Sequence, residues 1–119
     1  MIHSDLSEKV IGAAMLVLNE LKPGLDEKIY ENALVVELQE LGIPIEQQRR
    51  FDVRYKGQHV GLLIPDLIVG GQIIVDTKVV SVFNESHVAQ MIGYLAITGL
   101  ELGLLINFKN SKLEWKRVV

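Results

Sequence analysis

The stretch LLIPDLIVGGQIIVDTKVV, residues 62–80, decides how this sequence is interpreted. It has the pattern of two apolar strands joined by a glycine pair, yet Asp66, Asp76 and Lys78 lie inside those strands. Burying an isolated ionised group costs so much free energy that the group normally becomes neutral, forms a pair or binds a metal. The stretch therefore predicts a hairpin whose three charged residues either stay exposed or form a common polar site.

The turn between the two strands determines whether the acidic side chains meet. Side chains alternate between the faces of a strand, so a two-residue loop at 70–71 pairs Asp66 with Val75 and places it on the opposite face from Asp76. A three-residue loop at 70–72 sets Asp66 across from Asp76, and glycine suits the left-handed backbone of such a loop. A β-bulge at the proline before Asp66 is a second route to the same arrangement. A shared site requires one of these two devices.

Two carboxylates and a nearby lysine have the chemistry of a magnesium site. Alternation along the strand puts Asp76 and Lys78 on one face. Carboxylate oxygens without His or Cys favour Mg²⁺ or a similar hard cation over structural zinc. Such a cation polarises a phosphoryl oxygen and activates a bound water, so the implied reaction class is phosphodiester hydrolysis. The alternative is an edge-strand ion pair between Asp76 and Lys78.

Periodicity divides the rest of the chain into helices and strands. Helical spacing predicts helices from Ser7 to about Leu21, from Asp26 to about Leu41, and between a cap at Asn84 or Ser86 and a stop at Gly99. Residues 45–80 change to a period of two, with three strand-like runs that predict an antiparallel meander, and two further strands follow the third helix. The order ααβββαββ predicts an α/β fold of the α+β type, in which helices flank a mixed central sheet.

Two predictions about these helices concern their ends and their faces. Ser4 or Asp5 is available as the cap of the first helix. The apolar stripe of the second helix is predicted to comprise Ile29, Ala33, Leu34, Val36, Leu38 and Leu41.

Composition limits the class of protein. A chain of 119 residues with 49% hydrophobic and 23% charged residues predicts one globular domain over residues 1–119. The absence of cysteine and of a long apolar run predicts a cytoplasmic protein that does not enter a membrane. A net charge of -3 counts against strong nonspecific nucleic-acid binding, although basic residues gather at 49–56 and 109–117. Solvated strand surfaces have the same pattern.

Several motifs, in order, resemble one known family. Pro65-Asp66, followed on the next strand by Asp76-Thr77-Lys78, resembles the PD-(D/E)xK nuclease superfamily, whose core runs helix, three-stranded meander, helix, strand. The segment PGLDEKIYENAL, residues 23–34, contains a GxxExxY motif and resembles the small bacterial and archaeal proteins named for that motif, a branch of the superfamily. The likeness extends to the terminal KRVV and covers nearly the whole chain.

The resemblance implies roles for residues on the hairpin and on the second helix. It implies that Asp66 and Asp76 bind Mg²⁺ or Mn²⁺, with the backbone carbonyl of Thr77 as a further ligand, and that Lys78 is the catalytic lysine. Asp76 stands where glutamate is commoner in the family, and it remains within the superfamily's pattern. Glu27 matches an acidic helix residue that reaches the metal site or a second cation.

The helices offer further candidates, each with a structural alternative. Tyr30 lies one turn from Glu27 and either orients that carboxylate or packs on the sheet. Gln90 matches a polar site residue of these nucleases, and Tyr94 and His87 flank it by one turn on either side. The same stripe is also what an ordinary amphipathic helix presents.

Three functions remain open at this level. The first is a metal-dependent nuclease acting on DNA or RNA, for which a homodimer is plausible because a small enzyme that cuts a duplex gains from two sites. The second is a catalytically silent module that keeps the nuclease fold and binds protein or nucleic acid. The third is a structural domain with scattered ion pairs. Four charged residues in the family's positions favour the first.

Overall fold

Three helices and seven strands make up the chain, and the computed structural model describes all of residues 1–119. The helices are α1 (Ser4–Leu21), α2 (Glu27–Glu40) and α3 (Glu85–Thr98). The strands are β1 (Ile45–Gln47), β2 (Phe51–Tyr55), β3 (Gln58–Leu63), β4 (Leu67–Val69), β5 (Ile73–Lys78), β6 (Leu102–Asn107) and β7 (Glu114–Val118).

Five of the strands form a mixed sheet in the order β1-β4-β5-β6-β7. The β5–β6 pair is parallel and the other three pairs are antiparallel. The crossover between the parallel strands contains α3, as a parallel connection requires. The predicted fold class, a mixed sheet flanked by helices, is confirmed.

The predicted three-strand run between α2 and α3 contains five strands instead. The antiparallel meander of the main sheet consists of β1, β4 and β5, while β2 and β3 pair only with each other. Gln48, directly after β1, has a φ of 56°, which turns the chain out of the sheet. The two-residue turn at 56–57, with φ of 51° and 77°, then closes β2 and β3 into a separate hairpin.

The hairpin at residues 67–75 has the three-residue loop. Leu67 pairs with Val75 and Val69 pairs with Ile73, so residues 70–72 are left as the loop. Gly70 and Gly71 both have positive φ, 60° and 67°, which other residues rarely adopt. A Cβ at Gly70 would also lie 2.9 Å from Leu6 Cδ2. Of the two loop lengths that the sequence leaves open, the glycines therefore form the one that aligns Asp66 with Asp76.

Helices cover both faces of the central strands. Ile73 and Val75 of β5 belong to the core with α1 and α2, whereas Ile74 packs with α3 through Met91. Strands buried on both faces have near-continuous apolar runs, as residues 73–75 of β5 and residues 102–106 of β6 do. A Cβ on Gly103 of β6 would lie 2.3 Å from Met91 Sδ, so glycine at this position allows α3 to approach the sheet.

Helix ends follow the predictions more closely than helix faces. Asn84 accepts a hydrogen bond from His87 N, and Gly99 ends α3 with φ 76°. By contrast α1 begins at Ser4 after His3, so neither Ser4 nor Asp5 is its cap. In the predicted stripe of α2, Leu34 and Leu38 are buried, whereas three members are exposed: Ile29, Val36 and Leu41. The prediction was wrong for these three residues because only one side of α2 reaches the sheet. Tyr30 and Glu31 occupy part of that buried side.

Candidate metal and catalytic site

Asp66 and Asp76 meet across the β4–β5 hairpin. Extending the register of β4 and β5 by one residue sets them opposite each other. Asp66 Oδ2 accepts a hydrogen bond from Thr77 N at 3.2 Å, and Asp76 Oδ1 accepts one from Asp66 N at 3.5 Å. The two carboxylates are thus held by the main chain of the hairpin on the face of the sheet that α3 covers.

The site has more negative than positive charge. Burial, followed by the charge of Asp76, raises the pKa of Asp66 to about 7. Burial also raises the pKa of Asp76, although Lys78 opposes that change. Lys78 Nζ lies 3.7 Å from Asp76 Oδ2, and its side chain is 17% exposed. One ammonium faces two carboxylates, an imbalance that a divalent cation would relieve.

Thr77 lies between the ligand candidate Asp76 and the lysine. Its N–H is bound to Asp66, and its side chain is buried on the face opposite to Asp76. Thr77 Oγ1 has no hydrogen-bond partner.

No group of three or more Asp, Glu, His or Cys residues is placed to hold a metal ion. Protein ligands for a cation here are therefore the two carboxylates, with main-chain oxygen or water for the remaining positions.

Glu27 lies beside the end of β5. Glu27 is exposed, and its Oε1 accepts a hydrogen bond from Val79 N at 3.0 Å, one residue beyond Lys78. The contact joins the first turn of α2 to the strand that carries the lysine. Glu27 is thus adjacent to the main chain that follows the candidate catalytic residues.

A second carboxylate of α2, Glu31, is the main feature that sequence reasoning missed. It is 3% exposed, and it accepts hydrogen bonds from Lys28 Nζ at 2.9 Å, Gln47 Nε2 at 2.6 Å and Gln48 Nε2 at 3.2 Å. Its charge contributes to the raised pKa of Asp66. A signal existed, because Glu31 lies three residues before the buried Leu34 and so on the inward side of the helix.

Two side chains of α3 lie on the side of the acid pair. Burial, and then the charges of Asp76 and Asp66, raise the pKa of Tyr94. Gln90, one turn earlier, is exposed and makes no side-chain hydrogen bond. Both line a groove of about 520 Å³ between α3 and the β2–β3 hairpin.

Tyr30 and His87 have structural contacts elsewhere. The Tyr30 hydroxyl donates to Lys22 O at 2.6 Å and accepts from Leu25 N at 3.1 Å, and its buried ring stacks on Phe108. Tyr30 therefore fixes the loop before α2, and its hydroxyl has no contact with Glu27. His87 Nδ1 accepts from Asn84 N at 3.2 Å and completes a capping box.

Asn107 supports the end of the lysine strand. It is 1% exposed and pairs in register with Lys78. Its side chain accepts from Val80 N at 3.1 Å, donates to Val80 O at 2.7 Å and accepts from Lys109 N at 3.1 Å. The amide thus fixes the main chain two residues beyond Lys78. Nothing in the sequence around Asn107 indicates this role.

Comparison with known proteins gives one match. A family model described as the PD-(D/E)XK nuclease superfamily matches residues 4–118, which include every helix and strand. Nucleases of that superfamily generally depend on a divalent metal. No curated protein and no solved structure matches the chain. None of the three helices is long and apolar enough to cross a membrane.

Proposed function

The chain belongs to the PD-(D/E)XK nuclease superfamily, and we propose that it hydrolyses phosphodiester bonds of DNA or RNA in a reaction that requires Mg²⁺ or Mn²⁺. The observation that carries the proposal is the alignment of Asp66 with Asp76, with Lys78 Nζ at 3.7 Å from the second carboxylate. The motif at Gly24, Glu27 and Tyr30 further supports a place in the GxxExxY branch.

In this proposal Asp66 and Asp76 hold the cation, together with the Thr77 carbonyl. The raised pKa of Asp66 fits this role, since two carboxylates held together by the hairpin favour any positive charge between them. A bound divalent cation supplies polarisation of a phosphoryl oxygen and a water of lowered pKa.

Lys78 is the proposed catalytic lysine. Its ammonium is held near Asp76, where it can donate to an attacking water or to a phosphoryl oxygen as negative charge develops. Glu27 fixes the main chain at Val79 and so helps to position that lysine. Gln90 and Tyr94 line the groove beside α3, where they would contact a bound substrate.

Isothermal titration with Mn²⁺ and Mg²⁺, paired with cleavage of labelled DNA and RNA strands, tests this proposal. We expect binding and cleavage by the wild type, and loss of both in Asp66→Asn and Asp76→Asn. Asp5→Asn is the matched control, because Asp5 is an exposed aspartate in the first turn of α1. Equal binding by wild type and Asp76→Asn, or no binding up to about 10 mM cation, would refute the metal site.

A catalytically silent module is the second candidate. The absence of a third carboxylate beside the acid pair favours it, and metal binding without cleavage of any strand would support it over the nuclease. Two sequence-based proposals accompany either function. The lack of cysteine favours the cytoplasm, and a homodimer is testable by light scattering on the purified protein.

A further inference from the structure

The β2–β3 hairpin concentrates positive charge in an acidic protein. Residues 49–64 contain four Lys or Arg and one Asp, a net charge of +3. The whole chain has a net charge of -3, so the remaining residues carry -6. The hairpin pairs with no strand of the main sheet and is thus a separate, basic element of the fold.

Two of these cations have no carboxylate partner. Asp52 is shared by Arg54, at 2.6 Å, and by His59, while Arg49 lies 3.2 Å from Glu46. Arg50 and Lys56 form no ion pair, and both are exposed. Their charges are therefore available to an anionic ligand without the loss of an ion pair.

An apolar surface runs along the same hairpin. Val53 lines the 520 Å³ groove against α3, together with Leu63 and Ile64. Tyr55 lies on the same face of β2, two residues nearer the tip, and is 65% exposed. Lys56 Nζ lies 5.5 Å from the centre of the Tyr55 ring. An exposed aromatic ring and a free cation thus lie together at the tip.

The groove lies between this surface and the chain segment that leads to the acid pair, since Ile64 lines it two residues before Asp66. Tyr94 and Gln90 line its α3 wall, and the charges of Asp66 and Asp76 act on Tyr94. On the hairpin side, β3 ends at Leu63 and the chain reaches Asp66 three residues later. A ligand lying along β2–β3 and in the groove would therefore approach the segment that carries Asp66.

We infer that the β2–β3 hairpin is an arm that binds an unpaired nucleic-acid strand, with Arg50 and Lys56 on its phosphates, Tyr55 stacked on a base, and the groove beside α3 directing the strand to Asp66 and Asp76. Cleavage of the bound strand at the acid pair rests on the proposed function, whereas binding of the strand to the arm does not.

The combination of features selects an unpaired strand over a duplex. Only an unpaired strand offers the faces of its bases and its phosphates to one narrow surface, whereas a duplex hides those faces and presents phosphates alone. The apolar groove wall and Tyr55 would then have nothing to contact. The -6 charge on the rest of the chain also opposes the broad phosphate contact that a duplex needs.

Fluorescence anisotropy with a strand of about twelve nucleotides, with a chelator present so that nothing is cut, tests the arm. The double variant Arg50→Gln, Lys56→Gln should bind more weakly, and the slope of log affinity against log salt should become shallower by about 1.4. Lys109→Gln, Lys112→Gln is the matched control, since it removes the same charge at exposed residues outside the arm. Tyr55→Ala should weaken binding about tenfold, and Tyr55→Trp should retain it.

Opposite results would overturn the inference. One such result is that the control pair weakens strand binding as much as the arm variants do. The others are that a duplex of the same sequence binds more tightly than the unpaired strand, or that the wild type binds no DNA or RNA strand. All substituted side chains are exposed, and thermal melting verifies that each variant is folded. Binding through the arm without cleavage when Mg²⁺ is added would refute the proposed nuclease activity but support the proposed role of the arm. Cleavage of an unpaired strand by the arm variants at the wild-type kcat/KM would refute the arm and keep the nuclease.

Discussion

Asp66 and Asp76 lie directly opposite each other on the β4–β5 hairpin, and each accepts a main-chain N–H from the other side of that hairpin. Such hydrogen bonds favour ionised carboxylates, but burial and the charge of Asp76 act against them and raise the pKa of Asp66 to about 7. The metal-free site is therefore under electrostatic strain that either a proton or a cation relieves.

The first prediction is that the metal-free protein becomes less stable as pH rises. The pKa of Asp66 is about 7 in the folded protein against 3.8 as its ordinary value, so the folded state binds the extra proton. Its contribution is complete below about pH 4 and is lost as pH rises through about 7. Because Asp66 is only part-buried, solvent screening reduces this contribution to about 1–2 kcal/mol.

Urea denaturation with a chelator between about pH 4 and pH 8 measures this effect as the difference between wild type and Asp66→Asn, in which other groups cancel. The free energy of unfolding of Asp66→Asn, relative to that of the wild type, should increase as pH rises. A difference that is independent of pH, or that shrinks as pH rises, would contradict the shifted pKa.

The second prediction separates the roles of Lys78 and the acid pair. Lys78→Met removes a positive charge 3.7 Å from Asp76 and should tighten Mn²⁺ binding, since the cation no longer meets a competing ammonium. Cleavage should fall by at least about 100-fold, the usual scale for a positioned proton donor. Calorimetry and single-turnover cleavage measure the two effects. If metal affinity falls along with cleavage, Lys78 supports the hairpin rather than the reaction.

The part of the site that lies on one hairpin was predictable from the sequence. Alternation fixed the faces of Asp76 and Lys78, and the glycines at 70–71 left two loop lengths, of which one aligns Asp66 with Asp76. These are local relationships, set by a few consecutive residues. The resemblance to a known family selected between the alternatives, and the match over residues 4–118 agrees with it at the level of the superfamily.

The contacts that the sequence did not predict join distant segments. Glu31 meets Gln47 and Gln48 only because α2 packs beside the end of β1. Asn107 meets Val80 across a parallel strand pair. The separation of β2–β3 from the main sheet was also hidden, since a period of two specifies a strand and not its partner.

The third prediction concerns Asn107, whose amide holds Val80 with two hydrogen bonds. Asn107→Leu leaves the part-buried N–H and C=O of Val80 without their partner, and we expect a loss of about 1–3 kcal/mol in the free energy of unfolding. Asn110→Leu is the control, because Asn110 is exposed and makes one long contact of 3.4 Å to Glu114. Chemical denaturation compares them. Equal losses in the two variants would mean that the hydrogen bonds between Asn107 and Val80 contribute little to the free energy of unfolding.

The fourth prediction concerns Glu31 and its three hydrogen-bond donors, which are Lys28 of α2, Gln47 at the end of β1 and Gln48 directly after it. Glu31→Gln removes the charge and turns an N–H group toward Gln47 or Gln48, so it should cost about 1–3 kcal/mol of stability at neutral pH. Glu37→Gln on the same helix, where no hydrogen bond is lost, should change stability by less than about 0.5 kcal/mol.

Loss of the Glu31 charge should also lower the pKa of Asp66, because that charge helps to raise it. The fall in stability with rising pH should therefore be smaller, and should end at lower pH, in Glu31→Gln than in the wild type. An unchanged pH profile beside a clear loss of stability would show that Glu31 supports α2 and β1 but does not act on the acid pair.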